Sequence, residues 1–249
     1  MTFVEYEPGL WCLQELYTRC FLVIGEERAL LLDGGLGSVD LAAMVRELTN
    51  LPLIYVNSHA HTDHIGASLS FGENAWAHPA EMPYLTRALG DGIVFHEAQD
   101  GQVFDLGGTQ LKVLYLPGHT PGSIGLVETT GKYFLCADLV STAHVFLTGN
   151  YDIEKYAASL ERVLSMEELP SDIVVYPAHG EPKVGLDLLD RELALTRDIM
   201  MGLEPVRQEH IPRDVRYGGE PAYQIPRIMD VYQKGTETVF RDAPSENFS

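Results

Sequence analysis

The run Ser58-His59-Ala60-His61-Thr62-Asp63-His64 gathers three imidazoles and a carboxylate in one short stretch. Side chains two apart on an extended chain point the same way, so His59 and His61 can grip one ion together. Asp63 and His64 come after a turn and can face a neighbouring position. Three further segments add donors: His119 in Pro117-Gly118-His119-Thr120-Pro121-Gly122-Ser123, Asp138 after Cys136-Ala137, and His179 in Pro177-Ala178-His179-Gly180. Imidazole with carboxylate is a ligand set suited to zinc, iron or manganese. A histidine alone in a loop is usually an ordinary surface or hydrogen-bonded residue, and His78, His96, His144 and His210 are read that way. The seven residues His59, His61, Asp63, His64, His119, Asp138 and His179 are too patterned for that explanation.

The elements that must position them are short strands ending at these clusters. Phe21–Ile24 and Ala29–Leu32 read as paired strands around Gly25-Glu26-Glu27. Ser38 is expected to cap a helix through Leu48, with Leu41, Val45 and Leu48 on one face. Leu53–Val56 reads as a buried strand running straight into the His59 cluster. A short helix is expected after Gly66, and another over Glu81–Leu89. Leu111–Leu116, Ser123–Glu128 and Lys132–Cys136 read as three strands, Asp152–Met166 as an amphipathic helix, Ile173–Tyr176 as a strand and Leu186–Met201 as a helix. Beyond Gly202 the chain reads as irregular. Two batches of strands, each with helices, predict two sheets packed face to face with helices outside. The polar clusters then fall in loops at one rim.

Composition narrows the function. Seventeen basic against 36 acidic side chains give a net charge of -19. Such a chain repels polyanions, which argues against nucleic acid and against anionic membrane surfaces as partners. No apolar run approaches the roughly 20 residues of a membrane span. The three cysteines, Cys12, Cys20 and Cys136, lack metal-like spacing and fit reduced thiols in a cytoplasmic protein. Cys136 closes an apolar strand and is read as core.

Taken together and in this order, the four segments resemble the metallo-β-lactamase superfamily, over a stretch from about Phe21 to His179. The resemblance implies an α+β fold, an αββα sandwich of two mixed β-sheets flanked by helices, with the site at one rim. The chain itself is read as a catalytic domain over residues 1–202 and a C-terminal extension over 203–249 that caps the site or meets a second copy in a homo-oligomer. The resemblance implies that His59, His61 and His119 hold one metal, that Asp63, His64 and His179 hold the second, and that Asp138 bridges them. Asp33 matches the family's early aspartate and is expected to support the site through hydrogen bonds. Ala137 stands where the family often has glycine, a departure that alanine can accommodate.

The reaction implied is hydrolysis by a metal-bridged hydroxide, with two divalent ions, zinc first and iron or manganese next, and with Asp63 and Asp138 as catalytic residues. The bridging Asp138 is nearer to the glyoxalase II-like branch than to the true β-lactamases. Ser141 stands where quorum-signal lactonases usually carry tyrosine. Leu139–Asp152 has no Lys or Arg to grip glutathione, so a small-molecule ester or thioester is the expected substrate. His144-Val145-Phe146-Leu147 is a candidate pocket wall. Arg207, Arg213, Arg216, Tyr217, Tyr223 and Arg227 are candidates to meet an anionic group. A mononuclear iron persulfide dioxygenase, lactonase or glyoxalase II-type activity, and an oxygen-reducing module served by a separate flavin protein stand as alternatives.

Overall fold

Two sheets form the middle of the fold. The structure is a computed structural model and describes residues 1–72, 74–147, 151–210 and 228–242. In the first sheet, strands β1 (Val4–Glu7), β2 (Leu10–Glu15), β3 (Thr18–Ile24) and β4 (Ala29–Leu32) pair antiparallel in sequence order. Helix α1 (Leu41–Leu48) then carries the chain to β5 (Leu53–Val56), parallel to β4. β6 (Ala75–Ala77) and β7 (Phe95–Glu97) extend the parallel half, with α2 (Thr62–Ile65) and α3 (Met82–Leu89) in the connections. The second sheet is built from β8 (Val103–Asp105), β9 (Gln110–Tyr115), β10 (Ile124–Glu128) and β11 (Tyr133–Ala137), antiparallel throughout. Past a short strand, β12 (Val145–Leu147), and helix α4 (Ile153–Leu164), strand β13 (Val174–Pro177) joins that sheet parallel to β11.

Strand alternation sorts the apolar residues into layers. Leu30, Leu32 and Val56 of the first sheet meet Leu111, Val113, Leu126 and Leu135 of the second in the central core. Leu31 and Tyr55 point the other way, onto Leu41 and Val45 of α1. Phe134 and Cys136 likewise turn outward from the second sheet, onto Tyr156, Leu160 and Val163 of α4 and onto Leu188, Leu189 and Leu193 of α5 (Leu186–Met200). Each such side chain contributes roughly 1.5–3 kcal/mol by leaving water. The expected αββα sandwich follows from this arrangement. Cys12, Cys20 and Cys136 are buried free thiols. Among the described residues no helix is long and apolar enough to cross a membrane.

One local expectation changes. Asp40, not Ser38, caps α1, its Oδ1 accepting from the Ala43 N–H at 3.0 Å. The Ser38 N–H instead donates to Glu15 at 2.6 Å, which ties the loop before α1 to the β2–β3 hairpin. The short helix expected after Gly66 is the 3-10 turn at Ser68–Phe71, and a further helical turn, α2, precedes Gly66.

The end of the chain is not uniformly irregular. β14 (Arg207–His210), β15 (Ile228–Lys234) and β16 (Glu237–Asp242) form a third sheet in the order β12-β16-β15-β14. Tyr232 and Val239 join the core around α4 and α5. Two ion pairs pin this sheet to α5, Arg191 to Glu237 and Lys234 to Asp198, each at 2.6 Å. Arg207 is exposed and pairs with Glu209. Arg213, Arg216, Tyr217, Tyr223 and Arg227 lie outside the described residues.

Candidate metal centre

The chain leaves β5 at Val56 and turns at once, because Asp33 anchors the turn from the end of β4. Its carboxylate accepts from the Ser58 N–H and Oγ–H, each at 2.7 Å, and contacts His64 Nδ1 at 2.9 Å. Asp33 reaches this position in a left-handed backbone conformation, φ +67°. His59 and His61 project from the extended segment, and Asp63 and His64 from the first turn of α2. His119 enters from the β9–β10 loop. Gly118 makes that loop possible: at φ +135° it lies so close to α4 that a Cβ would meet the Tyr156 backbone at 2.3 Å. Asp138 follows β11 and His179 follows β13, so both leave the second sheet at the same end.

Ala137 is where local strain sits. Its φ is +49°, the left-handed region that disfavours a Cβ by roughly 1–2 kcal/mol. The conformation turns Asp138 back over the strand end, and the Ala137 carbonyl is held by the Ala178 N–H at 2.9 Å. Tyr156 Oη donates to the Leu139 carbonyl at 2.7 Å and fixes the far side of the same turn.

The seven residues singled out in the sequence converge into two groups. His59, His61, His119 and Asp138 form one, and Asp63, His64 and His179 the other; within each, one donor atom per residue lies within 4.8 Å of all the rest. In the first group, His61 Nδ1 is 3.0 Å from both His59 Nε2 and His119 Nε2, and the latter two are 3.3 Å apart. Three ring nitrogens cannot all donate to one another at these distances. A tetrahedral ion with Zn–N bonds of about 2.0–2.1 Å spaces its nitrogens roughly 3.3 Å apart, so the donor set fits a cation. Asp138 lies between the groups. Its Oδ2 is 3.8 Å from His59, 3.4 Å from His119 and 3.2 Å from His179, while Oδ1 is 3.3 Å from His64. His64 Nε2 and Asp138 Oδ1 are buried and make no hydrogen bond. Orphaned polar atoms at the centre of a His/Asp cluster are what a site built for a cation leaves behind when considered alone.

Electrostatics agrees with metal-ready imidazoles. Burial, with the neighbouring His64 and His119 rings, pushes His59 and His61 well below the ordinary histidine range, and burial lowers His119 too. These rings are neutral and keep a lone pair. His64 goes the other way: burial opposes its charge, but Asp138, Asp63 and Asp33 together raise it. Asp138 is held well below the usual carboxylate range, against its burial, chiefly by His179 and His64.

Several positioning groups carried no motif in the sequence. Buried Glu81 accepts from the Ala60 N–H at 2.9 Å, the Gly122 N–H at 2.7 Å and Thr120 Oγ1 at 2.6 Å, tying the His59 loop to the His119 loop. Buried Arg19 donates to the carbonyls of Pro177 at 3.2 Å, of Glu181 at 3.5 Å and of Gly180, gripping the His179 loop. The Tyr17 carbonyl meets His179 Nδ1 at 2.7 Å, and the Phe146 carbonyl meets His119 Nδ1 at 2.7 Å. Backbone carbonyls have no residue-type signal, which is why only the structure reveals them. His78, stacked on Tyr115 at 4.0 Å, and His96, beside Trp76, lie outside both groups. His144 packs on Phe146 and Phe240 and is also outside them. The side chain of His210 lies outside the described residues.

Comparison with known proteins places this geometry in context. The model of the metallo-beta-lactamase superfamily matches residues 13–179. The hydroxyacylglutathione hydrolase GloC of Haemophilus influenzae is 27% identical over 184 residues, covering 65% of this chain and 85% of its own length. The acyl-coenzyme A thioesterase MBLAC2 of Gallus gallus is 27% identical over 215 residues, covering 69% of this chain and 77% of its own. Among solved structures, that of TTHA1623 in a di-iron-bound form is 29% identical, with a TM-score of 0.58 over 72% of this chain and 96% of that one.

Proposed function

Because the chain belongs to the metallo-β-lactamase superfamily, we propose that it is a dinuclear metallohydrolase acting on a small-molecule thioester or ester. His59, His61 and His119 hold one divalent ion, Asp63, His64 and His179 hold the second, and Asp138 is shared. The observation that carries this reading is the place of Asp138, whose two oxygens reach donors of both groups at 3.2–3.8 Å. When bound, two such ions lower the pKa of a shared water and polarise the scissile carbonyl.

The chain's own residues then have defined tasks. Asp63 and Asp138 place carboxylate oxygens between the donor groups, where they would accept hydrogen bonds from the nucleophilic water and orient it. The neutral rings of His59, His61 and His119 offer lone pairs without a competing proton. Tyr17 and Leu16, 46% and 65% exposed, sit at the hairpin tip beside His179 and offer an apolar lip to an acyl group. A thioester is favoured because both relatives' names describe removal of an acyl group carried on a thiol. Zinc or iron would suit the donor set, and the di-iron form of the similar structure keeps iron in play.

The first experiment is elemental analysis of protein purified without added metal, followed by a screen of acyl thioesters and esters. About two ions per chain with thioester turnover is the expected result. A single iron per chain with oxidation of persulfides would replace this reading with the mononuclear dioxygenase.

A further inference from the structure

The third sheet lies outside the two donor groups. β12 is its edge strand, and its ladder partner is β16, with Val145 opposite Val239, Phe146 opposite Phe240 and Leu147 opposite Arg241. β12 also supplies the Phe146 carbonyl, 2.7 Å from His119 Nδ1. A carbonyl can only accept, so this contact places the proton of a neutral His119 on Nδ1 and leaves the Nε2 lone pair facing His59, His61 and Asp138.

What keeps that carbonyl in place comes from nearly 100 residues further along. The Phe146 and Phe240 rings pack at 5.0 Å, with His144 against both, at 4.5 and 5.3 Å. Arg241 Nε donates to Tyr151 Oη at 2.7 Å and its guanidinium lies over the same ring, tying Tyr151, ahead of α4, to β16. β16 is itself fixed to α5 through Glu237 and Arg191. A three-residue strand without such a partner has no ladder of its own.

We infer that the C-terminal strands are part of the metal centre: β16 is the template that holds β12 in the register at which Phe146 fixes the tautomer and direction of His119. Phe146 and Phe240 are positioning residues, acting through His119. This inference rests on His119 being a metal ligand, as the proposed function has it. It gives residues 237–242 a role distinct from capping the site.

The test uses the full-length protein and three variants. Phe240→Ala removes the aromatic support, Phe240→Leu restores bulk, and Leu41→Ala creates a cavity between α1 and the first sheet, in a core cluster that holds no residue of β12 or β16. Zinc affinity is measured by competition with a chromophoric chelator, and the His119 ring by 15N–1H NMR of the metal-free protein. Phe240→Ala is expected to weaken one of the two zinc ions by roughly 10–100-fold, the usual effect of losing an outer hydrogen-bond partner, and to spare the other. Its Nδ1–H signal broadens or disappears. Phe240→Leu recovers both readouts, and Leu41→Ala keeps wild-type zinc affinity despite a comparable drop in melting temperature. Should Phe240→Ala not fold, Arg241→Gln reads the same coupling in the same direction. Wild-type zinc affinity with an unchanged Nδ1–H signal in Phe240→Ala, or equal zinc loss in Leu41→Ala, overturns the inference. Failure of the unsubstituted protein to bind any metal would instead sink the proposed function, while the Nδ1–H signal would still test the coupling.

Discussion

Thr120 Oγ1 donates to Glu81 Oε1 at 2.6 Å, joining two residues 39 positions apart. The same carboxylate takes the N–H groups of Ala60 and Gly122, so one buried side chain sets the distance between the loops that carry His59 and His119. Replacing one carboxylate oxygen by an amide turns an acceptor into a donor aimed at existing donors. Glu81→Gln is therefore expected to cost about 1–3 kcal/mol of folding stability. It should also lower metal content, since the three ring nitrogens spread apart. Urea melts and metal analysis check this; a variant with native stability and full metal would refute it.

Asp138 is the residue both groups share. Asp138→Ala is expected to weaken metal binding by roughly 10-fold or more and to reduce hydrolysis in parallel. Titrating metal back into the variant while following activity is the check. Full activity at native metal affinity would remove Asp138 from the bridging role.

Arg19 bears on only one group, because its guanidinium grips the carbonyls around His179. Lysine keeps the charge but cannot fork across three carbonyls. Arg19→Lys should thus weaken the ion near His179 by roughly 10–100-fold and leave the one near His59 in place. Equal loss of both ions would show that Arg19 supports the fold rather than one side of the site.

Glu192 on α5 is fully buried with neither carboxylate oxygen paired. Burial and the nearby Glu237 push its carboxyl up from 4.5 to about 8, with Arg191 pulling the other way. The unfolded chain releases this proton near pH 4.5 and the folded chain near 8. The contribution to stability is therefore full below about pH 4.5, falls as pH rises and is lost as pH passes about 8. Glu192→Met removes the unpaired oxygens at similar volume and should stabilise the fold at neutral pH by about 1–3 kcal/mol. The gain should be smallest in acid. Denaturant melts across pH 5–9 check it, and a gain that does not change with pH would rule out this origin.

The donor types were legible in the sequence because histidines and aspartates at strand ends carry their own signal, and Leu53–Val56 announced the strand that delivers them. Their supports were not. Glu81 works through N–H groups 21 and 41 residues away, and the carbonyls of Tyr17 and Phe146 belong to no residue type. Asp40 outcompeted Ser38 as a cap because Glu15, far back in the chain, claims Ser38. The third sheet was hidden for a related reason. Its edge strand β12 is only three residues long and gains its partner when β16 arrives from far along the chain, and a segment rich in Arg and Pro separates β14 from β15.

The donors come from the ends of both sheets and span His59 to His179, so no complete set exists until the sheets have docked. An ion that can bind only after docking has nothing to hold in the folding transition state. Metal should leave the refolding rate nearly unchanged and slow unfolding, a low-φ pattern in which the ion acts as a late lock on a finished fold.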